Sequence, residues 1–219
     1  MYVLDKDTNK YVKKELDTNS HVGGITYDDE HENIWITDND GTISAYSKEE
    51  VLSYKKNIYP KYKNIYVGNE LTNIFGETSA AYITYNDNKM YVGNYNFKHK
   101  SIIKEYNLYD TGMIDRREYN KIKLSSFNQG VSFYKDGKNK YIITSSSIGK
   151  YIPSKLRIYK YKSKKEVKDI QTDEMMEEIT VEDDKLISVF ESNAKVYKTS
   201  KKSKDIVICD INKLLKKTK

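Results

Sequence analysis

The sequence predicts an all-β chain, a β-propeller of four-stranded antiparallel blades, five-bladed with an incomplete first blade. Three observations lead there. Two prolines and short, alternating apolar runs make strands the main element, with no helical period. One strand–turn–strand pattern recurs four times, with its strands beginning at Ile25, Ile83, Val131 and Ile179, at steps of 58, 48 and 48 residues. A third apolar run follows each of these hairpins. The resulting unit of about 40–50 residues has the length of a propeller blade.

The four hairpins are GITYDDEHENIWIT from Gly24, YITYNDNKMYVG from Tyr82, VSFYKDGKNKYIIT from Val131 and EITVEDDKLISVF from Glu178. Their turns carry Asp28-Asp29, Asn86-Asp87-Asn88, Asp136-Gly137 and Asp183-Asp184. Asp, Asn and Gly tolerate the left-handed backbone that tight hairpins demand. Third strands are expected at TISAY from Thr42, IIKEYNL from Ile102, LRIYKYK from Leu156 and DIVICDI from Asp205. Fourth strands are expected at REYNKIKL from Arg117 and EVKDI from Glu166.

The longer first step places an insertion around residues 55–78, read as a loop because it holds Pro60 and several lysines. At the front, MYVLD and YVKKEL form two strands with no inner hairpin before them. Either they are the outer part of an incomplete first blade, or they complete the last blade and close a smaller ring. The first option gives blades at roughly 1–19, 20–77, 78–126, 127–173 and 174–215, in one propeller domain spanning 1–219.

Composition bounds the function classes. Lys+Arg 38 against Asp+Glu 32 gives +6, a modest excess spread along the chain. The basic stretches 162–168, 201–204 and 213–219 read as solvated surface, so no nucleic-acid partner is expected. Hydrophobic residues make up only 37%, but 21 tyrosines add ring area that a core can bury while the hydroxyls stay wet. Cys209 alone excludes an internal disulfide and reads as a buried strand residue. No apolar run approaches a membrane span. Met1–Asp7 reads as strand and turn, not as a signal peptide.

A propeller gathers chemistry at one end of its channel. The first strand of every blade lines the axis, so the residues just before those strands meet at one mouth. They are Ser20, His21 and Gly23, then Thr78, Ser79 and Ala80, then Asn128 and Gln129, then Glu177 and Glu178. Glu177 and Glu178 are adjacent on a strand, so alternation lets only one face the channel. Second strands end in polar residues at the same end of the blade: Asp38, Asn94, Ser146 and Glu191 form an outer ring. The ligand-binding candidates are His21, Gln129, Glu178, Glu191, Ser146, Asn94 and Asn128. His31 and His99 are expected in solvent. Gly23, Gly24 and Gly130 are expected to let first strands crowd the axis.

The hairpin repeat resembles the short-blade propellers that include gluconolactonase-like, NHL-like and quinoprotein-like proteins. More narrowly, Ser20-His21-Val22-Gly23-Gly24-Ile25, Asn128-Gln129-Gly130, Glu178-Ile179 and Phe190-Glu191-Ser192 resemble a mostly secreted propeller family of Gram-positive bacteria. That resemblance implies an extracellular or cell-surface setting. Gluconolactonase-like enzymes hold a divalent metal with Glu, Asn and Asp. Here Glu177 or Glu178 and Asn128 match, and no Asp stands on a first strand.

No nucleophile–base pair is legible from spacing. The expected function is therefore a non-enzymatic binding module for a polar ligand, a carbohydrate or a protein, with no cofactor. The alternative is a metal-dependent hydrolase or lyase with Glu178, His21 and Glu191 around a divalent cation.

Overall fold

Alternation that buries both faces of a strand produces stacked sheets, and this chain stacks four of them around an axis. The computed structural model describes residues 1–68, 71, 79–197, 203 and 205–216. Its strands in chain order are β1 Tyr2–Asp5, β2 Lys10–Lys13, β3 Glu15–Leu16, β4 Ile25–Asp28, β5 Asn33–Thr37, β6 Thr42–Ser47, β7 Asn57–Ile58 and β8 Tyr62–Tyr66. There follow β9 Tyr82–Tyr85, β10 Lys89–Gly93, β11 Ile102–Asn107, β12 Asn120–Lys123, β13 Asn128–Asp136, β14 Asn139–Ser146, β15 Pro153–Lys160, β16 Glu166–Glu174, β17 Met176–Glu182, β18 Lys185–Phe190 and β19 Val207–Asp210. Two short helices, α1 Lys48–Leu52 and α2 Ile211–Leu215, complete the order with 3-10 turns at Asn39–Gly41 and Glu191–Asn193.

Three sheets are four-stranded antiparallel meanders: β4-β5-β6-β8, β9-β10-β11-β12 and β13-β14-β15-β16. A fourth, β17-β18-β19, has three strands among the described residues. We refer to these sheets as blades one to four. Each sits on its neighbour through side chains that alternate along the strands. In β10, Met90 and Val92 face blade one, meeting Trp35, Ile43 and Ala45. Tyr91 between them faces blade three, meeting Val131, Phe133 and Ile142. Tyr134, Ile143, Leu156 and Ile158 then join blade three to Met176, Ile179 and Leu186 of blade four. This double-sided burial explains runs such as Ile34-Trp35-Ile36, where a one-sided sheet would show polar residues.

Three of the four hairpin turns use the residues expected to tolerate positive φ; in blade one it is Glu32, at 51°, and not Asp28 or Asp29. Asp87 and Asn88 both do so, at 51° and 53°, which matches the strand twist of a two-residue hairpin. Gly137 and Asp183 do so in the next two blades.

Four expectations are corrected. The structure has four blades, not five. The N-terminal strands neither form a blade nor complete the last one: β1 pairs only with β2, in a sheet of its own. This hairpin covers the free face of blade one, where Met1, Val3, Leu16 and Val22 pack on Ile36, Tyr46, Val51 and Ile58. Second, the supposed loop around 55–78 contains β7 and the fourth strand β8, which pairs with β6. Ahead of it lies α1, capped where the Ser47 hydroxyl accepts from Glu50 N at 3.1 Å. Residues 69–70 and 72–78 of that stretch lie outside the described residues. Third, Cys209 on β19 is half-buried, not buried. Fourth, several tyrosines bury their hydroxyls as well as their rings: Tyr46, Tyr82 and Tyr91 are wholly inaccessible.

No described helix is long and apolar enough to cross a membrane. Of the basic stretches, 201–202, 204 and 217–219 lie outside the described residues.

Candidate functional site

The first strands β4, β9, β13 and β17 stand side by side around the axis. Side chains tie them across blades: Tyr85 N donates to the Thr26 hydroxyl at 3.0 Å, and the Thr84 hydroxyl donates to Val131 O. Their close approach depends on glycine. A Cβ on Gly23 would lie 2.5 Å from the Ala81 carbonyl oxygen, and one on Gly24 would lie 2.8 Å from Ile83 N. Any larger residue would push blade one away from blade two.

Above this ring lies a cavity of about 380 Å³. It opens at the end where the first strands begin. His21, Gly23, Ala81, Gln129 and Glu177 line it from the four blades, and Asp38, Asp40, Tyr95, Glu191 and Tyr197 form its outer wall. The cavity joins three of the sequence-derived candidates, His21, Gln129 and Glu191. His21 is exposed at the rim. Gln129 Nε2 donates to Glu177 Oε1 at 3.3 Å, linking blades three and four.

Glu178 lies one residue further down β17. Its carboxyl crosses the axis into space left by two glycines. A Cβ on Gly130 would meet Glu178 Oε1 at 2.7 Å, and one on Gly24 would meet Oε2 at 3.1 Å. Oε1 accepts from Ile179 N at 3.1 Å, while Oε2 is buried with no hydrogen-bond partner. Strict alternation would turn Glu177 and Glu178 to opposite faces. Instead, the β17–β18 register shifts between Met176 and Ile179, and this bulge lets both carboxyls serve the axis.

Burial governs the charge here. It pushes the Glu177 carboxyl up to about 8, with the neighbouring Glu191 charge adding to the effect. Burial likewise raises Glu178 well above the usual carboxylate range, opposed by its bond from Ile179 N and reinforced by Glu177. Asp38 goes the other way. Burial would raise it, but hydrogen bonds from Thr18, Ser20, Asn39 and Ser44 outweigh burial and hold it low. The Thr18 hydroxyl donates to Asp38 Oδ1 at 2.7 Å and Asn39 N donates at 2.9 Å. The mouth therefore carries a fixed charge at Asp38, while burial favours the protonated form of Glu177 and Glu178.

The other candidates stand behind the cavity, as anchors. Asn128 is fully buried, its Oδ1 accepting from the Ser125 and Ser146 hydroxyls at 3.1 and 2.9 Å. Arg157 donates to the Ser146 hydroxyl at 2.8 Å. Asn94 Oδ1 accepts from Ile102 N at 2.8 Å, closing the connection between second and third strands. Thr78 lies outside the described residues. His99 is exposed, but His31 is not a solvent residue: its Nδ1 lies 2.9 Å from Oδ2 of Asp28, which is fully buried. Among the described residues, no three His, Cys, Asp or Glu side chains converge as metal ligands, so Glu178, His21 and Glu191 do not form a ligand set.

Sequence reasoning missed Tyr95 and Tyr197. Tyr95 follows Asn94 in the connection already placed at this end of the blade, so its position was open to inference. Tyr197 sits in a long connection after Glu191–Asn193 that carries no repeat signal. Tyr95 packs edge-on against Phe127, with ring centroids 6.2 Å apart. Burial raises its hydroxyl, as does the Glu177 charge.

A second hollow, of about 920 Å³, lies at the opposite end of the axis. Apolar residues of β1, β4 and β17, including Val3, Ile25 and Val181, dominate its lining.

No protein-family model matches the chain, and no curated protein matches it in sequence. Solved structures do match it in fold. Hydrazine synthase of Kuenenia stuttgartiensis superposes with a TM-score of 0.50 at 11% identity, over 91% of this chain and 52% of that one. BamB from Moraxella catarrhalis gives 0.39 at 10% identity, over 89% and 48%. The β-propeller domain of Myceliophteria thermophila Cps50 (Swd1) gives 0.43 at 11%, over 84% and 56%. The chain thus spans about half the length of the solved structures it matches. At such identity the likeness bears on the fold alone, and that fold is an all-β propeller.

Proposed function

We propose that the chain is a non-enzymatic interaction module that binds a polar ligand, free or displayed on a partner, at the channel mouth. One observation carries this reading. Glu177 lines a cavity to which all four blades contribute and Glu178 lies one layer below it on the axis, with burial raising both carboxyls. Folding gains nothing from such a pair, since an apolar plug would close the axis more cheaply. Costly polar groups gathered at a concave site point to recognition. Sequence spacing offers no nucleophile–base pair, which favours binding over catalysis. The resemblance of the His21–Ile25 and Asn128–Gly130 motifs to secreted Gram-positive propellers supports an extracellular or cell-surface setting.

A thermal-shift screen of charged and uncharged polar compounds and short oligosaccharides tests this reading. We expect compounds that raise the melting temperature of the wild type to lose that effect in Gln129→Ala and Glu177→Gln. Hits that survive both substitutions and vanish in Val181→Asp would place the site at the opposite hollow and overturn it.

A further inference from the structure

We infer that the mouth cavity takes an organic cation, an ammonium or guanidinium group carried by a small amine or by a lysine or arginine side chain of a partner. The inference rests on the reading of the mouth as the ligand site and assigns its chemistry.

The first support is charge. The chain is basic overall, at +6, yet the described residues lining this cavity include four carboxyl groups, Asp38, Asp40, Glu177 and Glu191, and no lysine or arginine. Local potential, not net charge, decides what enters a cleft. Among the described lining residues an anionic ligand would find carboxylates and no lysine or arginine.

The second support is the aromatic wall. Tyr95 and Tyr197 stand beside the carboxyl groups. Tyr95 is braced by Phe127, whose other neighbour is the half-exposed Phe97 at 6.4 Å and 14° between ring planes. Carboxylates give an ammonium group its hydrogen-bond acceptors, and ring faces hold its charge and alkyl stem. A neutral sugar would use the rings but leave the carboxyl groups uncompensated.

The third support is independent of the cavity lining. Glu178 Oε2, one layer below, is buried with no hydrogen-bond partner, so the axis beneath the cavity holds an unsatisfied acceptor oxygen. A cation seated above it adds positive potential next to that oxygen, and Glu177 can release its proton to the solvent as the cation binds. A bare divalent ion fits less well. It asks for about six to eight oxygen ligands, and no three acidic or imidazole groups converge here among the described residues.

Titration calorimetry of the full chain tests the inference with spermidine, N-acetyl-lysine methylamide and N-acetyl-arginine methylamide, beside N-acetylglucosamine and succinate. The cationic probes are expected to bind. Glu177→Gln and Glu191→Gln should each weaken them on the order of ten-fold, while Asp29→Asn at the opposite end of the axis leaves affinity unchanged. Binding of spermidine but not of the two amino-acid derivatives identifies a free amine as the source, and the converse a partner's side chain. Binding of N-acetylglucosamine or succinate without the cations overturns the cation assignment but keeps the mouth as a site. Cation binding insensitive to both glutamine substitutions overturns the assignment too. If none of the five probes binds, the cation assignment fails, and the thermal-shift screen then decides separately whether the mouth binds anything.

Discussion

At the scale of single residues, glycine and glutamate divide the axis between them. Gly130 has no Cβ because Glu178 Oε1, the Ser145 hydroxyl and Ile179 N occupy that space, all within about 3 Å. Gly130→Ala is therefore expected to lower stability by about 1–3 kcal/mol, read as a fall in melting temperature. Removing the Glu178 carboxyl as well should restore only part, because Ile179 N is backbone and cannot move aside. Glu177 makes a different prediction. Its folded value of about 8 exceeds the ordinary 4.5. Below pH 4.5 both states hold the proton, above 8 both have lost it, and between these limits folding takes one up. Stability must then fall as pH rises through that window. Glu177→Gln should flatten the decline and stabilise the protein at pH 8–9 relative to wild type, with little change at pH 5. Melting temperatures across that range check the sign. These residues were partly legible in sequence. The repeat placed Glu177 and Glu178 at the mouth, but strand alternation allowed only one of them to face the axis. A bulge needs only one extra residue and leaves no periodic trace, so the second carboxyl could not be read from the pattern.

At the scale of elements, blades are joined by buried polar links as well as by apolar faces. Glu105 on β11 receives the Tyr161 hydroxyl of blade three at 2.8 Å and forms an ion pair with Lys89 at 2.5 Å. Burial would raise its carboxyl, but bonds from Lys89, Tyr161 and Asn120 outweigh it and pull the value down to about 2. A depressed carboxyl stabilises the fold above its unfolded value and ceases to do so as pH falls. This link should be intact above about pH 4.5 and lost on the way to about 2. Glu105→Gln is expected to cost about 2–3 kcal/mol at pH 7 and to lose part of the wild-type acid sensitivity. A denaturation series at pH 3 and pH 7 measures both. The element pattern itself was largely readable, because two-sided apolar runs and Asp, Asn or Gly turns are local signals. The stretch 55–78 was not. Its strand β8 reads Tyr-Lys-Asn-Ile-Tyr, with only Ile65 buried, and an outer strand with one buried residue offers little periodicity. The helix before it did leave a mark, Ser47 three residues ahead of Glu50, which is the spacing of a capping box.

At the scale of the molecule, the ring is covered at one side by a hairpin and not by a blade. The hairpin's inner side, with Val3, covers Ile36, Tyr46 and Ile58, while Tyr2, Leu4 and Tyr11 stay exposed on its outer side. An ion pair to blade four, Lys6 to Glu182 at 3.9 Å, lies between exposed groups and contributes little. Removing residues 1–13 should cost about 2–4 kcal/mol through lost apolar cover while leaving the transition cooperative. An unchanged melting temperature would contradict that. The blade count was the weakest inference from sequence because hairpin strands and outer blade strands share one pattern. Only packing distinguishes them.

On the proposed function, the channel mouth, and not the apolar hollow at the other end, is where this propeller meets its ligand. The most direct test is to follow backbone amide shifts of 15N-labelled protein while adding the polar compounds that raise its melting temperature. The predicted result is movement at Gly23, Ala81, Gln129 and Glu177, with Val3, Tyr27 and Val181 still. Shifts at the hollow with none at the mouth would contradict it.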